Sequence, residues 1–351
     1  MELQKNNEKA ETLLITRFSA VGDIAMTIPL LYPLAKAYPN CRFVFVSRKR
    51  FEQFFINKPD NIIYKGVDVD DYKGIVGLRR LYKELNDEFA PDAMADLHDV
   101  LRTKILRVQF ALNGVRTEHI VKGRAQKRRL ISAKNKSLEP LPSTFERYLD
   151  VFVRLGYHFT PDFVSLFDGK GDISEFAAIL PVKGDDKWVG VAPFARHQGK
   201  IYPIDKMREV VRLLSDKGGI KIICFGNGAE EEAVVNDWCR SYGNVISFIG
   251  KSNFNGELRL ISRLDLMLCM DSANMHMASL ADIPALSIWG ATSPLAGFLG
   301  WRQKEEDCIQ LPLECRPCSI FGNKPCRYGD YRCMEISPKV VADKIIGKLK
   351  M

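Results

Sequence analysis

Short apolar runs alternate along the chain with longer stretches in which apolar positions recur every three or four residues. TLLIT (12–16), RFVFVS (42–47), NIIYK (61–65) and DAMADL (92–97) read as strands, each followed by a segment of helical periodicity. That order predicts a parallel α/β unit. Around residues 160–187 the pattern loosens into a stretch carrying Pro, Gly and Asp, which marks a domain boundary. A second series then begins with KWVGVAPF (187–194), KIICFG (221–226), NVISFIG (244–250), LDLMLCMD (264–271) and ALSIWG (285–290). It predicts another doubly wound sheet. A Ser-Pro start and apolar spacing of three and four predict a last helix over 336–350. The expected division is 1–170, 171–335 and a C-terminal helix, 336–351. Two such halves facing each other would leave a cleft lined by the carboxyl ends of both sheets, where ligands of these folds bind.

Length and composition agree with a globular chain of two domains. The chain has 351 residues, 46% apolar and 27% charged. The polar opening, MELQKNNEKAE, has no apolar core of a secretory leader, so no export is expected. The longest apolar stretch, Ile24 to Ala37, is broken by Thr27, Pro29, Pro33 and Lys36 and is too short to cross a bilayer. Nine cysteines in such a chain are expected to be mostly reduced thiols.

Charge adds a partner. The net charge is +8, and residues 116–136 hold eight Lys or Arg against one Glu. A solvated loop explains such a run, and so does a face for an anionic lipid, sugar acid or nucleic acid. No zinc-finger spacing, aromatic-interleaved RNA motif or heptad zipper is present, so nucleic acid is not the expected partner.

The specific chemistry lies in loops after strands. In RFSAVGD (17–23), Gly22 suits a tight turn and Asp23 a place at a strand's carboxyl end, facing the cleft or capping the helix that follows. In PFARHQGKIYP (193–203), Arg196 and Lys200 supply cations, and Gly199 lets the backbone approach a diphosphate closely. FGNGAEEEA (225–233) leads through two glycines into a helix with an acidic first turn, which complements the helix dipole or grips ribose hydroxyls. Asp271 and Ser272 end a strand before a helix starting near Ala273, whose free amides form an anion site. His276 lies in the first turns of that helix, as a core residue or near the ligand.

Taken in order, RFSAVGDIAMTIPLLYPLAKAYP, GKIYP and DSANMHMASLADIPALSIWGATSP resemble the glycosyltransferase family 9 heptosyltransferases, which add ADP-heptose to the lipopolysaccharide inner core. The resemblance spans nearly the whole chain. It implies a GT-B fold of two facing Rossmann-like domains, the acceptor on the first and the nucleotide sugar on the second. It also implies inversion at the anomeric carbon, no required metal, and a last helix packing back on the first domain.

Carried over residue by residue, Asp23 matches the family's base and Lys200 the lysine that neutralises the leaving diphosphate. Arg196, Gly199, Glu230, Asp271, Ser272, Ala273 and His276 fall on the donor side, with Glu231 or Glu232 as alternatives to Glu230. Ala273 stands where the family often has glycine. Ser19, with His98 and Arg102 of ADLHDVLRTK (95–104), falls on the acceptor side. The expected partners are a nucleotide sugar and an anionic glycolipid. The expected setting is a cytoplasmic monomer in peripheral contact with the inner membrane. Another sugar donor, an epimerase or a non-catalytic binding protein would keep the same donor loops. Cys315, Cys318, Cys326 and Cys333 are spaced for a structural zinc, for disulfides or for free thiols.

Overall fold

Parallel pairing needs a crossover between successive strands, and the alternating runs supply one each time. The computed structural model describes residues 11–351; residues 1–10, which hold most of the polar opening, lie outside the described part. The chain divides into two compact units. One comprises residues up to Lys122 together with Thr144–Val164, the other Gly123–Ser143 together with Ser165–Met351.

The first unit is a five-stranded parallel sheet. Its strands are β1 (Thr12–Thr16), β2 (Arg42–Arg48), β3 (Ile62–Val67), β4 (Ala93–Asp96) and β5 (Arg116–His119), in the order β3-β2-β1-β4-β5. Helices α1 (Val21–Ala25) and α2 (Ile28–Ala37) cross from β1 to β2, α3 (Gly74–Phe89) from β3 to β4, and α4 (Leu101–Leu112) from β4 to β5. Leu14, Val44, Val46 and Met94 of the sheet pack under Leu81, Leu85 and Phe89 of α3 and Leu106 and Phe110 of α4.

The chain then leaves this unit. Helix α5 (Arg124–Leu130) and the segment after it belong to the second unit, where Leu130 packs with Ala296 and Ile320 and the Leu141 amide donates to the Leu295 carbonyl at 2.9 Å. Helix α6 (Thr144–Arg154) returns to the first unit, burying Tyr148, Val151 and Phe152.

The second sheet holds six strands in the order β11-β10-β9-β6-β7-β8. They are β6 (Lys187–Ala192), β7 (Ile220–Cys224), β8 (Val245–Ser247), β9 (Leu266–Met270), β10 (Ala285–Ile288) and β11 (Cys308–Ile309). Between them run α7 (Ile204–Lys217), α8 (Ala229–Ser241), α9 (Phe254–Ile261) and α10 (Ala273–Leu280), and α11 (Pro338–Leu349) closes the chain. Asn253 caps α9 by accepting from the Asn255 and Gly256 amides.

Three expectations are corrected. The division at residue 170 misses the excursion of 123–143, whose Leu130 and Leu141 find their partners in the second unit. The last helix belongs to the second unit: Val341, Ala342 and Ile345 of α11 complete its core, with Val210 and Leu214 of α7. Gly22 is not a left-handed turn residue but the second residue of α1.

Candidate active site

In each sheet the winding reverses once, at β1/β4 in the first unit and at β6/β9 in the second. Loops leaving the carboxyl ends of two adjacent strands diverge there, which opens a crevice for ligand. Ser19, Asp23 and His98 lie at the first of these points and Lys200, Asp271 and Ser272 at the second, whereas the glutamates follow β7.

At the first point Asp96, the last residue of β4, is fully buried and organises the loop into α4. Its Oδ1 accepts from the His98 and Asp99 amides at 2.9 and 2.8 Å, and its Oδ2 takes the Arg107 guanidinium at 3.1 Å. Asp99 sits at φ +46°, a left-handed conformation that aspartate tolerates better than most residues. The loop is thereby fixed, and it presents His98 across the sheet to the loop after β1. There the Phe18 amide donates to His98 Nδ1 at 3.4 Å, and His98 Nε2 lies 3.3 Å from Ser19 Oγ. With Nδ1 accepting, the neutral ring carries its proton on Nε2 and donates it to Ser19. Burial, and then the charges of Arg17 and Lys122, push His98 down to about 3, so the ring is neutral at physiological pH.

Asp23 is the third residue of α1 and is reached from the same loop. Its Oδ2 accepts from the Ala20 amide at 2.9 Å and meets the Arg17 guanidinium at 2.6 Å. Asp23 therefore caps its own helix from inside and is held by a cation, while about a quarter of its side chain (28%) stays exposed. Arg17 also donates to the Leu97 carbonyl at 2.6 Å, so it ties the two loops together. Its burial opposes the charge, but Tyr148, Asp23 and Asp96 outweigh that and its pKa is raised. Sequence reading passed over Arg17, which has no marking of its own beyond standing six residues before Asp23. Arg102 lies in the first turn of α4, partly buried, with no ion-pair partner among the described residues.

At the second point Lys200, just after β6, meets Asp271, just after β9, with Nζ 2.9 Å from Oδ2 and both side chains mostly buried. A fixed ammonium at a switch point suits an oxygen-rich anion. Ser272 is the N-cap position of α10, yet its hydroxyl makes no cap bond; Ser272 Oγ and Thr292 Oγ1 are buried without hydrogen-bond partners. A buried hydroxyl left so costs about 1–3 kcal/mol, which a bound ligand or water would recover. Ala273 opens α10, and His276 is buried within it.

Gly199 plays another part than expected. A Cβ there would meet the Gly322 carbonyl oxygen at 2.8 Å and Ala291 Cβ at 2.9 Å, so it is the protein's own backbone that comes close. The Gly199 amide donates to the Gly322 carbonyl, and its carbonyl accepts from the Ala291 amide. Arg316 secures the same region, with its guanidinium donating to the Gly290, Thr292 and Leu311 carbonyls and to Gln310 Oε1. Nothing but its place in a Pro- and Cys-rich stretch marks Arg316 in the sequence.

Of the three glutamates, Glu230 is exposed, Glu232 faces Lys251 at 3.6 Å, and Glu231 folds back to accept from the Asn227 amide at 2.7 Å. Burial raises the Glu231 pKa. Glu231, not Glu230, is turned toward the loop. Arg196 stands exposed on the loop before Lys200.

The basic run is split. Its first residues form the edge strand β5, and Lys136 donates to the Glu314 and Arg316 carbonyls inside the second unit. It is not one face of the first unit. All nine cysteines are free thiols, and among the described residues no three His, Cys, Asp or Glu stand together as metal ligands. Cys318 Sγ faces the Ala291 carbonyl at 3.9 Å, Cys326 Sγ faces Asp330 at 3.9 Å, and Cys333 is buried in the core. Cys318 and Cys333 are each pushed up first by burial and further by the neighbouring Cys315 and Cys326, so the four thiols lie within electrostatic reach of one another.

Residues 117–331 match the model of glycosyltransferase family 9 (heptosyltransferase). The chain is 23% identical over 341 residues to lipooligosaccharide heptosyltransferase 2 of Campylobacter jejuni, covering 94% of this chain and 96% of that relative. Among solved structures, a glycosyl transferase family 9 protein from Veillonella parvula superposes with a TM-score of 0.75 at 17% identity, covering 97% of this chain and 98% of that one. An Escherichia coli heptosyltransferase solved with ADP-2-deoxy-2-fluoro heptose gives 0.66 at 18% identity, covering 96% and 99%. Two Rossmann-like parallel sheets of the GT-B kind are thus the fold.

Proposed function

This chain belongs to glycosyltransferase family 9, and from that premise we propose that it transfers heptose from ADP-heptose to an anionic lipopolysaccharide-type acceptor, with inversion and without a catalytic metal. The observation that carries the reading is the Lys200–Asp271 pair at the β6/β9 switch point, beside two buried hydroxyls that lack partners. In this reading the diphosphate of the donor takes Lys200 and the first amides of α10, and Glu231 holds the ribose. An acceptor hydroxyl attacks the anomeric carbon and its proton passes to Asp23. The bond from that carbon to the diphosphate oxygen breaks, and ADP departs with the electron pair. Asp23 is a weak base beside Arg17, so positioning and leaving-group stabilisation supply most of the rate. His98, Ser19 and Arg102 orient the acceptor. The C. jejuni relative is named for lipooligosaccharide, and the E. coli structure holds an ADP-heptose analogue; both support the choice of substrates. The chain acts as a monomer, peripheral to the cytoplasmic membrane face.

The test is product analysis with ADP-heptose beside UDP- and GDP-sugars on a truncated core acceptor. ADP release coupled to a heptosylated product with inverted anomeric configuration is expected; turnover with another nucleotide sugar alone would overturn the donor assignment.

A further inference from the structure

A surface helix ordinarily needs one apolar stripe, to face its sheet. Helix α4 has two. Thr103, Leu106 and Phe110 are buried against the first sheet, and the edge of Tyr82 from α3 meets Phe110 with ring centroids 4.8 Å apart. On the other side Leu101, Ile105, Val108 and Leu112 follow at i, i+4, i+7 and i+11, a second stripe along one face. Leu101, Val108 and Leu112 are 76%, 55% and 82% exposed, and Ile105 is partly so. Three large apolar side chains lined up in solvent over about three turns are more than the scattered exposure of an ordinary surface.

Charge decides what covers them. Helix α4 carries Arg102, Lys104 and Arg107 and no acidic residue. Lys104 and Arg107 reach back to Asp99 and Asp96, whereas Arg102 has no such partner among the described residues. A second copy docked stripe to stripe would bring like charges together. A surface of apolar chains under anionic headgroups accepts both the leucines and the cations. The stripe also starts at Leu101, directly after the loop that presents His98.

We propose that the outer face of α4 is a membrane-docking surface, which inserts Leu101, Val108 and Leu112 among the acyl chains of an anionic bilayer. This rests on the reading of a lipid-linked acceptor, since docking here brings the acceptor loop to the headgroup level. Docking is reversible, because one short helix face gives only marginal anchoring.

The experiment is flotation of the full chain with vesicles containing phosphatidylglycerol, beside vesicles of phosphatidylcholine alone. Wild type is expected to float with the anionic vesicles and to lose binding as salt is raised. The triple variant Leu101→Ser, Val108→Ser, Leu112→Ser is expected to bind about tenfold or more weakly. A second readout does not depend on that variant: Leu112→Trp should be quenched by brominated acyl chains, and Val182→Trp, at a 96% exposed position in the second unit, should not. Equal flotation of triple variant and wild type, or no quenching at position 112, overturns the proposal. So does a wild-type dimer that the triple variant abolishes, which would assign the face to a second copy. Neither readout requires turnover, so vesicle binding without heptosyl transfer overturns the functional reading alone.

Discussion

Two side chains that touch Asp23 and Ser19 decide how the first switch point behaves with pH. Asp23→Asn removes the proposed proton acceptor but keeps its shape, so turnover should fall by about 10²-fold or more while ADP affinity, measured by calorimetry, stays as in wild type. Unchanged turnover would exclude Asp23 as base. Arg17 favours the ionised carboxylate at 2.6 Å. Arg17→Gln should therefore move the acid limb of the pH–rate profile to higher pH, and Arg17→Lys should largely restore it. His98 responds to acid in the same sense. Its ring is held neutral down to about 3, whereas in the unfolded chain it titrates near 6.5. Below that value the unfolded chain takes up a proton that the folded ring refuses, so stability is present above about 6.5 and is lost as the pH falls toward 3. His98→Asn should flatten that part of the stability curve in denaturant titrations. At this scale the sequence made positions legible: Asp23 follows β1 and Asp271 follows β9, and Lys200 and Asp271 pair after β6 and β9. The contacts of Arg17 with Asp23 and of Glu231 with the Asn227 amide were not legible, because a lone arginine or one glutamate among three has no pattern until the chain folds around it.

Elements whose apolar period is strong were readable, and those set by distant partners were not. Helix α11 followed from its Ser-Pro start and spacing, but its partner did not, since any apolar stripe fits either sheet until the geometry chooses. The edge strands β5 and β11 escaped notice because RTEH is charged and CI is two residues long, as edge strands often are. The stretch around Arg316 offers a sharper test. Arg316→Ala would leave the Gly290 and Thr292 carbonyls without their partner beside the loop that holds Lys200. It should lower stability by about 2–4 kcal/mol and weaken ADP binding more than it affects any acceptor-side property. Ile345→Ala, fully buried on α11, should cost a comparable 2–4 kcal/mol without touching the site.

Each unit of the molecule owns a core, so calorimetry should resolve two transitions, and saturating ADP should raise only the one belonging to the second unit. At a hundredfold excess over its Kd the ligand should add about 2.7 kcal/mol to that unit. A single transition raised as a whole would show instead that the units melt together.

The excursion of residues 123–143 has a consequence during synthesis. Leu130 emerges from the ribosome long before Ala296 and Ile320, the residues it will rest against, have been translated. At roughly 5–20 residues per second the wait is on the order of ten to thirty seconds. A greasy segment left idle for that interval would invite chaperones or sticking between nascent chains. RAQKRRL, with four cations around a single leucine to be hidden, stays solvated until its late partner arrives.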